Sequence, residues 1–93
     1  MLELTNHQMM QNLLAVYEPK EWGVASPDEV ELIKRELHLE EMNIIELRNM
    51  RDYTVMEWAI QSQCNVHGKM TQDKMSAITF VIDTVIWDKG GEV

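Results

Sequence analysis

The sequence predicts an all-α fold, a compact bundle of four to five helices forming a single small domain over residues 1–93. Three observations favour this fold. Apolar residues recur at intervals of three and four, which is the spacing of one face of an α-helix. Two segments begin with helix-capping sequences. The long run from Leu39 to Gln63 contains neither glycine nor proline.

The first predicted helix, residues 5–17, begins at a capping box. Thr5 is followed three positions later by Gln8, so each residue can satisfy a backbone N–H group of the other. Pro19 ends the helix, because the residue before a proline is displaced from the α region. Between these limits the apolar residues repeat at helical spacing, as Met9, Leu13 and Val16.

The second predicted helix, residues 26–37, has the clearest start in the chain. Ser26 stands at the N-cap, Pro27 at the first helical position and Glu29 at the third, which is again a capping box. Acidic residues in this first turn also complement the positive end of the helix dipole. The expected buried stripe is Val30, Ile33 and Leu37.

The segment from residue 39 to residue 63 is expected to contain a break. Its apolar stripe drifts around the helix surface if the chain from Ser26 onward is one straight rod. The break lies near His38 or near Asp52, and neither position carries a decisive helix-breaking residue, so both stay open. We therefore expect helices at approximately 40–51 and 52–65.

The last predicted helix, residues 71–88, is the most apolar part of the chain. A glycine pair, Gly90 and Gly91, supplies its stop. A helix this apolar is expected to lie at the centre of the bundle or to be shared with another subunit. The residues of its apolar face are Met75, Ile78, Ile82, Val85 and Ile86, widened by Phe80, Val81 and Trp87.

A strand is the competing interpretation of residues 77–87. This segment is rich in β-branched residues, and several of its apolar side chains also alternate with period two. A strand needs a partner, and the rest of the chain offers no comparable segment, so a strand here would have to pair with a second copy of the chain. The helix is therefore the favoured prediction.

The charge of the chain restricts its partners. There are 16 acidic and 8 basic residues, and residues 26–65 hold nine acidic against four basic side chains, a net charge of −5. Such a field repels phosphate backbones and anionic membranes and favours basic partners.

The single cysteine permits no disulfide within the chain, and the sequence has no signal peptide and no membrane span, so we expect a cytoplasmic protein.

No motif in the chain carries recognisable catalytic or metal chemistry. Cys64 and His67 form a C-x-x-H pair, but a structural zinc site needs four ligands and no second pair has matching spacing. A thiol nucleophile with a histidine base would also need an orienting group and an oxyanion hole. The glycines form no phosphate-binding loop. We expect no enzymatic activity, no catalytic residues, no cofactor and no metal.

Nucleic-acid binding is a less favoured alternative. A helix-turn-helix arrangement of the second and third helices lacks the lysines and arginines that contact phosphates. The opposite hypothesis is an acidic DNA mimic, because Glu29, Glu36 and Glu40 fall near one face of a continuous helix. An acidic helix surface usually only interacts with solvent, so charge patterning alone is weak support.

The leading functional prediction is a small acidic regulator, inhibitor or assembly adaptor that binds another protein with a basic surface. The chain is 45% hydrophobic with eight methionines, which is more apolar surface than a small core readily hides. The alternative is a homo-oligomeric subunit, such as a homodimer, whose last helix packs against its own copy. The predicted interface residues are apolar anchors with an acidic rim: Glu36, Glu40, Met56, Trp58 and Trp87.

Overall fold

The computed structural model describes residues 5–19, 25–63 and 70–91. These ranges contain no strand, which confirms the all-α prediction and the helical interpretation of residues 77–87. The elements, in chain order, are α1 (Asn6–Val16), α2 (Pro27–Leu37), a single 3₁₀ turn (Leu39–Glu41), α3 (Ile44–Gln63) and α4 (Gln72–Asp88).

Both predicted capping boxes are present. The backbone N–H of Gln8 donates to the Thr5 hydroxyl at 3.1 Å, and the Thr5 N–H donates to the Gln8 side-chain oxygen at 3.1 Å. At the start of α2 the Glu29 N–H donates to the Ser26 hydroxyl at 3.4 Å, and the Ser26 N–H donates to the Glu29 carboxylate at 2.8 Å. Each box satisfies two backbone N–H groups that a helix start leaves without partners.

The chain breaks at His38 and not at Asp52. His38 adopts the left-handed conformation, with φ 54° and ψ 40°, which ends α2 and turns the chain into the 3₁₀ turn. From Ile44 the backbone is one continuous helix through Asp52 to Gln63. The prediction of two helices at 40–51 and 52–65 is therefore wrong within the described residues, and residues 64 and 65 lie outside them.

A third capping box, which the sequence analysis missed, fixes the start of α3. The Glu46 N–H donates to the Asn43 side-chain oxygen at 2.8 Å, and the Asn43 N–H donates to the Glu46 carboxylate at 3.1 Å. Asn43 and Glu46 are three positions apart, the same spacing as in the other two boxes. This box, with the left-handed His38, explains why α3 starts afresh after α2.

One apolar core joins the four helices, and α4 contributes more fully or nearly fully buried side chains than any other helix. α1 supplies four further buried side chains, two methionines and two leucines: Met9, Met10, Leu13 and Leu14. Trp58 and Tyr53 of α3 pack against this core from its edge. The core members from α4 are Ala77, Ile78, Val81, Ile82, Val85 and Ile86.

α3 and α4 form an antiparallel hairpin that contacts join at three levels. The Arg51 guanidinium donates to the Asp83 carboxylate at 2.6 Å in the middle of the hairpin. Near one end the Met70 N–H donates to the Gln61 side-chain oxygen at 3.0 Å. At the other end a Cβ atom placed on Gly91 would lie 3.3 Å from the side chain of Ile44. The Arg51–Asp83 and Ile44–Gly91 contacts agree to within one residue, so they assign the positions that lie side by side on the two helices.

The predicted glycine stop of α4 is confirmed as a Schellman motif. The Gly90 N–H donates to the carbonyl of Trp87 at 3.0 Å, and the Gly91 N–H donates to the carbonyl of Ile86 at 3.0 Å. Gly90 takes φ +86°, where a side chain would be strained. Lys89 Nζ also donates to the carbonyl of Glu40 at 3.1 Å, which ties the end of α4 to the 3₁₀ turn.

Tyr17, at the end of α1, places a polar group inside the core. Its side chain is 1% exposed, and its hydroxyl has no hydrogen-bond partner among the described residues. Burial, with the nearby Glu29 carboxylate, raises the pKa of Tyr17 to about 12. Tyr53 differs, because its hydroxyl shares a 2.9 Å hydrogen bond with Nδ1 of His7 and so links α1 to α3.

The left-handed backbone of His38 predicts that His38→Gly stabilises the fold. A non-glycine residue in this conformation destabilises the folded chain by about 1–2 kcal/mol. Glycine removes that cost, but its greater flexibility stabilises the unfolded chain and offsets about half of the gain. We expect a gain of about 0.5–1 kcal/mol in the free energy of unfolding, measured by urea denaturation. The matched control is Glu31→Gly, in the exposed middle of α2, which should lose about 0.5–1 kcal/mol. Destabilisation by both substitutions would contradict the assigned conformation.

The buried hydroxyl of Tyr17 predicts that Tyr17→Phe is neutral or stabilising by up to about 1 kcal/mol at neutral pH, because no hydrogen bond is lost. Tyr53→Phe, which removes the hydrogen bond to His7, should instead cost about 0.5–1.5 kcal/mol. Chemical denaturation of the two variants beside the wild type measures both effects. A larger loss for Tyr17→Phe than for Tyr53→Phe would show that the Tyr17 hydroxyl is satisfied.

The raised pKa of Tyr17 also predicts a loss of stability in alkali. The folded chain keeps this phenol protonated up to a pKa of about 12, whereas the unfolded phenol ionises near pH 10. Stability is therefore complete below pH 10 and falls by about 1.4 kcal/mol per pH unit between pH 10 and 12 from this group. Tyr17→Phe should flatten that slope relative to the wild type. Parallel slopes would contradict the assigned pKa.

Candidate functional site

The α3–α4 hairpin carries large apolar side chains on its outer surface as well as in the core. Among the described residues, Trp87 is 69% exposed and Phe80 62% exposed, which is unusual for side chains of this size. The remaining exposed large apolar residues are Val16 of α1 and Ile45, Val55, Met56 and Ile60 of α3.

The outer side of α4 is an uncharged stripe. Four exposed residues follow one another at intervals of four, four and three, so they form a line along the helix. This line lies opposite Ile78 and Ile82, which are fully buried. α4 therefore has two apolar sides, one in the core and one in solvent. The members of the outer stripe are Ser76, Phe80, Thr84 and Trp87.

The adjoining side of α3 presents charged and apolar residues together. Arg48, Asp52 and Val55 are exposed and stand four and three positions apart. Ile44 and Arg51 mark the side of α3 that meets α4. At 100° per residue, Arg48 and Val55 lie within about 60° of that side, and Asp52 lies slightly further round toward solvent.

These two stripes are neighbours on one surface of the bundle. The Arg51–Asp83 pair puts residue 50 level with residue 84 in the antiparallel hairpin. Val55 is then level with residue 79, next to Phe80, and Arg48 is level with residue 86, next to Trp87, so each pair is offset by about 1.5 Å along the helix axis. We name this surface the α3/α4 face and define it by Arg48, Asp52, Val55, Phe80, Thr84 and Trp87.

The predicted apolar interface residues separate in the structure. Trp87 lies on the α3/α4 face, and Met56, which is 53% exposed, lies at its edge on α3. Trp58 is partly buried and packs against the core, so its ring supports the fold. Phe80 was predicted only to widen the apolar side of the last helix, and the structure exposes it beside Trp87. Its spacing of seven from Trp87 was the available signal, because residues seven apart share a helix face.

The predicted acidic rim lies elsewhere and is not one continuous row. Glu36 is half-buried on α2, and Glu40 is exposed in the 3₁₀ turn, where its carboxylate lies 3.5 Å from Lys34 Nζ. The left-handed His38 stands between them, so they are not one helical turn apart. Glu29, the third member of the proposed acidic row, is 5% exposed and caps α2. This arrangement removes the geometric basis of the DNA-mimic hypothesis.

A charged open depression, about 360 Å³ in volume, surrounds the end of α2. Contacts within the chain already occupy it, because Lys34 pairs with Glu40 and the His38 imidazole lies 3.9 Å from the Glu41 carboxylate. A ligand would have to displace these internal pairs, so the depression is a weaker candidate site than the α3/α4 face. Its lining residues are Glu31, Lys34, Arg35, His38, Glu40 and Glu41.

The described residues give no further support to a chemical site. No group of three or more histidine, cysteine, aspartate or glutamate side chains in these ranges is arranged to hold a metal ion. His7 is engaged with Tyr53, and the Cys64 and His67 pair lies outside the described residues. The absence of enzymatic activity therefore stays a prediction.

No protein-family model, curated protein or solved structure matches this chain. Within the described part of the chain, none of the helices combines the length and apolar character that a membrane crossing requires. The surface geometry is therefore the basis for assigning a function.

The two sides of α4 predict opposite responses to truncation. Ile82→Ala removes a fully buried side chain and should cost about 2–5 kcal/mol of unfolding free energy. Phe80→Ala, two positions away on the exposed side, should change the stability of the dilute monomer by no more than about 0.5 kcal/mol. Urea denaturation at low protein concentration measures both. A large loss for Phe80→Ala in the monomer would mean that this ring supports the fold.

Proposed function

We propose that this chain acts by binding protein through the α3/α4 face, as a small acidic regulator, inhibitor or assembly adaptor in the cytoplasm. The observation that supports the proposal most strongly is the exposure of Phe80 and Trp87 together on an uncharged stripe of α4. Large aromatic side chains are the residues that most often dominate binding energy at protein interfaces. A contiguous exposed apolar surface on a small domain is typical of such an interface.

The magnitude of the aromatic surface is sufficient to anchor an interface but not to form one alone. With Phe80 62% and Trp87 69% exposed, roughly 250–300 Å² of aromatic surface remains in water. At about 25 cal/mol per Å², covering it contributes on the order of 6–7 kcal/mol before the costs of association. Those costs are about 4–15 kcal/mol. Val55 and Met56, and polar contacts at the edges, must therefore add to the binding energy.

The rest of the surface favours a protein partner over a nucleic acid. The chain carries a net charge of −8, which repels phosphate groups and attracts a partner with a basic rim. The exposed acids of α2 and the 3₁₀ turn, such as Glu40 and Glu41, lie on elements outside the α3/α4 face. They can steer an approaching partner without being buried against it.

Photo-crosslinking tests this proposal. A photoreactive phenylalanine derivative replaces Trp87, or in a matched control replaces Asn12, which is exposed on α1. We expect crosslinks to protein in the native host at position 87 and few at position 12. The double variant Phe80→Ser with Met56→Ser, combined with the position 87 probe, should reduce crosslinking strongly. Equal crosslinking at positions 87 and 12, or none at position 87, would contradict the proposal.

A further inference from the structure

We propose that Met56 is a reversible oxidation site, and that its conversion to the sulfoxide by a peroxide weakens protein binding at the α3/α4 face. This inference rests on the proposed function, because it names a way of regulating the same surface. It is supported by the exposure of Met56, by the burial of most other methionines, and by the position of Met56 at the edge of the face.

Met56 is set apart from the other described methionines by its exposure. It lies in the middle of α3 and is 53% exposed. Met75 is partly buried against the core, and Met1 lies outside the described residues. A solute in water therefore reaches the side chain of Met56 in the folded chain, whereas the buried methionines have to be uncovered first by local or global unfolding. The methionines that are at most 4% exposed are Met9, Met10, Met42, Met50 and Met70.

The reaction is a two-electron oxidation of sulfur. A lone pair of the Met56 thioether attacks one oxygen of the peroxide, the O–O bond breaks, and an S–O bond forms. With hydrogen peroxide, the departing hydroxide takes up the proton that remains on the transferred oxygen and leaves as water. The sulfur loses the two electrons that the peroxide gains, so no further reactant is needed. The product is a polar, chiral sulfoxide in place of a flexible apolar side chain.

The fold tolerates this change at position 56. Met56 is not a member of the apolar core. It stands nine residues after Leu47, which is fully buried, so at 100° per residue the two side chains lie on opposite sides of α3. A sulfoxide at position 56 therefore stays in water. Oxidation of a core methionine such as Met50 would instead place a polar group in the core and destabilise the fold.

Met56 lies within an apolar margin on the outer side of α3, which we define by Val55, Met56 and Ile60. Met56 directly follows Val55, which belongs to the α3/α4 face, and stands four residues before Ile60 on the same line of the helix. Val55 is 39% exposed and Ile60 50% exposed. A partner that covers the face and extends over this margin therefore removes the side chain of Met56 from water.

Oxidation makes this margin harder to bury. The exposed aromatic pair alone does not outweigh the costs of association, so the apolar side chains beside it contribute to the binding energy. A sulfoxide oxygen accepts hydrogen bonds from water, and burial against an apolar partner surface removes them without replacement. Because Met56 lies at the edge of the face, we expect binding to weaken by about threefold to thirtyfold and not to be abolished.

Peptide mapping by mass spectrometry tests the selectivity of the oxidation. The purified full chain is treated with increasing concentrations of hydrogen peroxide, and sulfoxide formation is followed at each methionine. We expect Met56 to react about tenfold or more faster than Met50, with an unchanged circular dichroism spectrum. In urea that unfolds the chain the two should react at similar rates, because the fold and not the local sequence protects Met50. Equal rates in the folded chain would overturn the inference.

Photo-crosslinking of the oxidised chain tests the consequence for binding. The chain with the position 87 probe is oxidised until Met56 is modified, freed of peroxide and added at limiting concentration to a protein extract of the native host. We expect crosslinking to fall by about threefold to thirtyfold and to recover after treatment with methionine sulfoxide reductases. The matched control is Met56→Leu, whose own crosslinking before and after peroxide should be equal. Since this variant keeps Cys64, it also reveals any effect of oxidising that thiol.

The outcomes separate this inference from the proposed function. Selective oxidation of Met56, with a loss of crosslinking that Met56→Leu does not share, supports the inference. If Met56 is oxidised first and crosslinking stays unchanged, the face still binds protein and only regulation by oxidation is rejected. An equal loss in Met56→Leu assigns the effect to another residue and also overturns the inference. If the untreated probe at position 87 crosslinks to no protein, the proposed function fails and the regulation fails with it.

Discussion

The packing of α4 against α3 is the interaction on which the rest of the structure depends. α4 places more side chains in the core than any other helix, and the Arg51–Asp83 pair fixes its register on α3. Because a helix has two sides and the bundle covers only one, the apolar residues on the other side of α4 remain in solvent. Phe80 and Trp87 are thus the consequence of an apolar helix placed at the surface of a four-helix bundle.

The acidic charge and the apolar face occupy different parts of the molecule. Exposed acids concentrate on α2 and the 3₁₀ turn, where Lys34 and His38 lie near some of them. The α3/α4 face carries one acid and one base, Asp52 and Arg48, beside an uncharged aromatic stripe. This separation lets the chain remain highly charged in water and still offer a surface that can be desolvated at low cost.

The sequence predicted the fold class, the start of α2 and the limits of α4, because these depend on local signals such as Ser26 and the Gly90–Gly91 pair. It left the end of α2 and the start of α3 undecided between two positions, because a left-handed histidine has no reliable sequence signal. The Asn43–Glu46 capping box was a readable signal that decides the start of α3. The periodicity of the sequence could not predict that Trp58 and Trp87 differ in burial. The neighbouring helices decide which side of an apolar helix is covered, and the sequence does not show where they lie. Trp58 packs against the core and Trp87 is exposed.

The most direct measurement of the central claim, that the α3/α4 face is the interaction surface, compares ¹H–¹⁵N correlation spectra of the labelled chain before and after addition of unlabelled protein extract from the native host. We expect shifts and line broadening at Arg48, Asp52, Val55, Phe80 and Thr84 and at the Trp87 indole, with little change along the outer side of α1. Shifts centred on α2 and the 3₁₀ turn would place the interaction on the charged depression instead. That result would contradict the assignment of the aromatic stripe as the binding surface.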